Sequence, residues 1–116
     1  MATAVILLGW NRPVPGRERQ AGVLFQETLG YLARLQGEGA IESFEVVLLS
    51  PHGGDMNGFM LSRGEAGKLA ALEATEEWHL LVTRAGLLLD GLGVVTGVTG
   101  EGVAQWMASW MQNIPA

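Results

Sequence analysis

The chain has 116 residues, 17 of them Gly and none Cys, with 12 acidic residues against 7 basic and a formal net charge of −5. Charged residues reach 16% and the AVILMFWYC set 48%, against roughly 25% charged and about 45–50% apolar, glycine included, in average soluble domains. That balance excludes a disordered chain and a disulfide scaffold or thiolate metal site, and it argues against a nucleic-acid binder, which carries a basic stripe.

The length suits a single domain over residues 1–116, with a core that needs no staples. The opening Met1-Ala2-Thr3-Ala4 lacks the basic segment of a secretory signal. No uninterrupted run of about 18 apolar residues reads as a membrane span. The expectation is a soluble, cytoplasmic protein.

Ala4 to Trp10 is a short aliphatic run closed by a polar turn, the pattern of a first strand. Asn11 to Gly16 holds two prolines and a glycine and reads as a loop. From Arg17 to Gln36 the spacing turns helical, with Ala21, Leu24, Phe25, Thr28, Leu29, Leu32 and Leu35 on one stripe. Gly37 and Gly39 stop it. Ile41 to Leu49 is a second strand, Pro51 to Gly58 a turn-rich connection, and Phe59 to about Arg63 a third strand. Glu65 to about Ala85 reads as helix in two pieces, the second capped by Thr75 with carboxylates in its first turn. Leu87 to Val98 is expected as one fourth strand kinked at Gly91 and Gly93. Val103, Trp106, Met107, Trp110, Met111 and Ile114 then recur at helical spacing, which predicts a last amphipathic helix over Glu101–Asn113.

The order β-α-β-β-α-β-α matches, in its first six elements, the ferredoxin-like split βαβ plan. That predicts an α+β fold: a four-stranded antiparallel sheet of order 4-1-3-2 with both main helices on one face. The second face should then be wet, and its strands should alternate apolar with polar residues. They do not. Val5 and Leu7 oppose Ala4, Ile6, Leu8 and Trp10, while Val47 and Leu49 oppose Phe44, Val46 and Leu48. So much apolar sheet needs a cover, and the simplest is the same face of a second copy. The last helix docks either on its own subunit or on that partner.

This pattern resembles the dimeric α+β barrel superfamily, in which two ferredoxin-like subunits pack sheet against sheet. The resemblance covers nearly the whole chain and implies a homodimer. The group includes small monooxygenases, muconolactone isomerases, EthD-like proteins and haem-binding relatives. The stretches Gly9 to Glu18, Pro51 to Phe59 and Leu92 to Val95 resemble those of an uncharacterised bacterial branch, so no activity comes with them.

In the 4-1-3-2 plan, one rim of the sheet gathers Trp10, Asn11, Arg12, Arg17, His52, Asp55, Asn57 and Arg84. His52 and Asp55 are candidates for an acid–base pair, although turn residues beside glycine are ordinary loop chemistry. Arg12 and Arg17 flank the start of the first helix, where an anion is favoured; they also fit a plain surface loop. Trp10 is a candidate pocket wall, with Asn11, Asn57 and Arg84 beside it. His52 and His79 lie on different elements, which disfavours a metal site and leaves His79 a poor haem ligand. No cofactor is called for. Glycines 91 to 102 lack the lysine and spacing of a nucleotide loop, and no nucleophile elbow is present.

Three functions follow. The first is a homodimer binding a small organic molecule, with anions among the candidates, between sheet and helices. The second is a cofactor-independent oxygenase, isomerase or dehydratase using His52 and Asp55. The third is an interaction module without a pocket. The state of the rim separates them.

Overall fold

The computed structural model describes residues 2–115. In chain order the elements are β1 (Ala4–Trp10), β2 (Arg12–Pro13), α1 (Glu18–Glu38), β3 (Ser43–Leu48), β4 (Gly58–Gly64), α2 (Ala66–Glu73), α3 (Glu76–Leu88), β5 (Leu89–Asp90), β6 (Gly93–Val98) and α4 (Glu101–Gln112). The four long strands form one antiparallel sheet in the order β3-β4-β1-β6, which is the expected 4-1-3-2 arrangement.

The pleat sends alternate residues to opposite faces. From β1, Ile6 and Leu8 join a buried cluster with Leu24 and Leu32 of α1, Leu69 and Leu72 of α2, and Trp78 and Leu81 of α3. Met60 of β4 belongs to the same cluster. All three helices therefore cover one face. Gly39, at φ +80°, ends α1 in a left-handed cap whose N–H meets the Gln36 carbonyl. Thr75 caps α3 as expected, its Oγ1 accepting from the Trp78 N–H at 3.3 Å.

The opposite face carries Val5 and Leu7 of β1, Phe59 and Leu61 of β4, Val47 of β3 and Val95 of β6. The register aligns them: Leu7 stands between Leu61 and Val95, and Phe59 between Gly9 and Val47. No helix lies over them, and Val95 is 57% exposed. Towards the β3 edge Arg63 pairs with Glu45 at 2.8 Å.

The fourth strand differs from its expected extent. Leu87 and Leu88 finish α3, and Leu89–Asp90 pairs with Arg12–Pro13 in a separate two-stranded ladder. Asn11 N–H donates to the Asp90 carbonyl and Val14 N–H to the Leu88 carbonyl. Gly91, at φ +67°, then reverses the chain with no side chain to resist it. Hydrophobicity alone did not distinguish the end of a buried helix from the start of a strand.

α4 is anchored at its first turn. Gly102 is buried there, and a Cβ on it would stand 2.9 Å from Val98 and 3.0 Å from the Thr3 carbonyl oxygen. From Val103 to Gln112 every residue is exposed.

Candidate functional site

A cavity of about 300 Å³ lies between the sheet and the helices. Its floor is Leu8 and Trp10 of β1 with Met60 of β4. Its walls are Ala21, Leu24, Phe25 and Thr28 of α1, and Leu81 and Ala85 of α3. Glu18, Gly22 and Leu48, all exposed, stand at its mouth. Pro13 and Leu89 of the small ladder close the remaining side. A pocket this size falls at the lower end of small-molecule sites.

Local structure explains the opening. Trp10 and Phe25 meet edge to face, with ring centroids 6.3 Å apart and planes at 84°. The Trp10 indole lies across Gly58, its register partner, where a Cβ would stand 2.7 Å from the ring. Thr28 is buried, and its Oγ1 donates to the Leu24 carbonyl at 2.7 Å. A hydroxyl oxygen retains acceptor capacity after donating. The carboxylate of Glu18 is the charged group of the lining, which includes no Arg, Lys or His.

Of the residues expected at the rim, Trp10 lines this cavity. Asn11 and Asn57 form a clamp beside it: Asn57 Nδ2 donates to Asn11 Oδ1 at 2.6 Å, and the Asn57 N–H to the Trp10 carbonyl at 2.9 Å. Arg12 is exposed on β2, opposite Asp90. Arg17 donates through Nη1 to the Leu87 carbonyl at 2.8 Å, tying the start of α1 to the last turn of α3. Arg84 faces α1 and pairs with Glu27 at 2.7 Å. That hydrogen bond holds the Glu27 carboxyl below its usual range and raises Arg84. None of these arginines reaches the cavity lining.

His52 is engaged within its own loop. Gly54 N–H donates to Nδ1 at 3.1 Å, and Nε2 lies 2.8 Å from the Met56 carbonyl, to which it donates as the Nε2–H tautomer. Among the described residues no hydrogen bond joins His52 to Asp55. Asp55 instead borders a smaller hollow of about 170 Å³ on the open sheet face, beside Leu7, Gly9, Met56 and Val95.

No family model matches the chain, and no curated protein matches it in sequence. Solved structures do. A dimeric protein of unknown function with a ferredoxin-like fold from Bacteroides fragilis is 11% identical, covers 84% of this chain and 96% of its own, and superposes with a TM-score of 0.62. A dimeric ferredoxin-like protein of unknown function from Thermobifida fusca is 8% identical over 84% of this chain and 92% of its own, with a TM-score of 0.56. An EthD family protein from Bacillus halodurans is 16% identical over 86% of this chain and its whole length, with a TM-score of 0.54. The fold is ferredoxin-like.

The ferredoxin-like layering also accounts for what sequence reading missed. Phe25, Thr28 and Leu24 all sit on the stripe expected to be core, and they do face the sheet; periodicity does not report whether that face is filled. Two local signals stand out in retrospect: the buried Thr28 in an apolar stripe, and Gly22 within a helix, where glycine is costly. Among the described residues no three His, Cys, Asp or Glu side chains gather to hold a metal ion. No described helix is long and apolar enough to cross a membrane.

Proposed function

We propose that this chain is a small-molecule-binding protein that works as a two-fold dimer, with one cavity per subunit. The cavity carries the reading: an apolar pocket of about 300 Å³ opening to solvent between the sheet and the helices, beside the buried core. The ligand class follows from the lining. Aromatic and aliphatic walls favour an apolar body about the size of a naphthalene ring system. With Glu18 the charged lining group and the arginines bound elsewhere, a neutral molecule with a hydrogen-bond donor fits better than an anion. The open sheet face supports the dimer, as two copies would bury Leu7, Leu61 and Val95 isologously. Two of the solved structures similar in fold are themselves dimeric.

The test uses 1-naphthol as probe. A ligand of the native state raises the unfolding temperature, and the rise grows with the logarithm of ligand concentration above Kd. Concentration-dependent stabilisation of the wild-type chain, abolished in a folded Gly22→Trp variant that plugs the mouth, is the expected result. Equal stabilisation of both proteins, or of neither, would contradict the cavity reading.

A further inference from the structure

We infer that α4 docks in trans: its apolar stripe packs on the second copy of the chain, at the flank of the sheet-to-sheet contact. This rests on the dimer proposed above and goes beyond it by assigning α4 as the arm that clasps the partner.

The stripe is unpartnered within the subunit. Trp106 is 62% exposed and Trp110 60%, and Met107, Met111, Val103 and Ile114 are exposed beside them. Aromatic side chains carry about 150–250 Å² each, so the six together present on the order of 600 Å². That is at the upper end of the largest apolar patch a monomer tolerates, about 300–600 Å². It is also a large part of the roughly 800 Å² per partner that a stable interface buries.

The placement of α4 supplies a second argument. The helix could have folded back over its own open sheet face, which is apolar and uncovered. It does not: Gly102 holds its first turn tightly against Val98 and Thr3, and the rest stands clear. The molecule is drawn out to 53 Å in its longest dimension. Its radius of gyration is 15.9 Å, against about 13 Å for a compact domain near this length. Two large apolar surfaces on one chain thus fail to meet in cis. α4 springs from the end of β6, an edge strand of the sheet whose open face is proposed as the interface, so its stripe is presented at that edge. A two-fold axis covers both at once, because whatever one copy lends its partner it receives in return.

Sedimentation equilibrium on the full-length chain tests this, with circular dichroism confirming the fold. Trp106→Glu with Trp110→Glu should leave the fold intact and weaken dimerisation about tenfold or more, as loss of central aromatic anchors does. An unchanged dimer Kd in that variant would overturn trans docking. Leu7→Glu with Leu61→Glu probes the sheet face separately. If that variant alone stays dimeric with an unchanged Kd, the sheet-face reading fails and the arm remains supported. As a second measurement, the chain has no Cys, so Ala104→Cys, exposed at the edge of the stripe, accepts a single environment-sensitive fluorophore. Its emission should shift to the red on dilution through the Kd; no shift would overturn the proposal. So would a monomeric wild-type chain whose α4 instead sediments with phosphatidylglycerol vesicles.

Discussion

Trp10 is the residue on which the cavity turns. It ends β1, pairs in register with Gly58, and meets the Phe25 ring edge to face. Gly58 is the condition for that pose. In Gly58→Ala the new methyl would stand 2.7 Å from the indole and 3.1 Å from Leu48 Cδ2. The indole must leave its seat, at a cost of about 1–3 kcal/mol as in other overpacked sites, and 1-naphthol affinity should fall with it. Urea unfolding and probe titration read the two effects. A variant as stable and as competent as wild type would contradict the role given to this contact. Gly22 is the opposite case. Nothing lies within 4 Å of a Cβ built there, so Gly22→Ala should stabilise α1 by about 1 kcal/mol, an advantage this chain forgoes at the cavity mouth.

At the scale of elements, the helices are tied to one another by charge as well as by packing. Arg84 of α3 pairs with Glu27 of α1, and Arg34 of α1 with Glu77 of α3. The pairing depresses the Glu27 carboxyl, so it stabilises the fold above that group's ordinary titration range. The contribution is lost as pH falls through the depressed value. Urea melts of wild type and Arg84→Gln should therefore differ at neutral pH and converge in acid. A gap that persists or widens in acid would show that Arg84 acts through something other than Glu27. Exposure of both side chains keeps the expected gap small. The same scale shows what sequence could reach. The aliphatic run of β1 located that strand without marking its buried face, whereas the 3.6-residue period in α1 located both the helix and its buried stripe, because burial on one side imposes that period. The Leu87–Leu89 run had no such contrast, and only the pairing of Asp90 with Arg12 places the boundary. His52 and Asp55 looked like a pair three residues apart, yet loop geometry sends the imidazole to Gly54 and Met56. The chain's polar residues could be read in sequence; their partners across the fold could not.

For the whole molecule, the composition that first excluded disorder now has an address. The excess of apolar side chains divides among a helix-covered core, an open sheet face and the stripe of α4. The core explains the fold, and the other two surfaces are the ones proposed to meet a second copy. The cavity lies on the helix side of the sheet, so the proposed ligand site and the proposed dimer contact occupy opposite faces. This separation lets a single spectrum decide the central claim. Methyl NMR of the wild-type chain, titrated with 1-naphthol, resolves groups lining the cavity from groups on the open face. Saturable shifts at Leu24, Met60 and Leu81, with Val5, Leu61 and Val95 unmoved, are the predicted result. Shifts confined to Val5, Leu61 and Val95, or none that saturate, would contradict it.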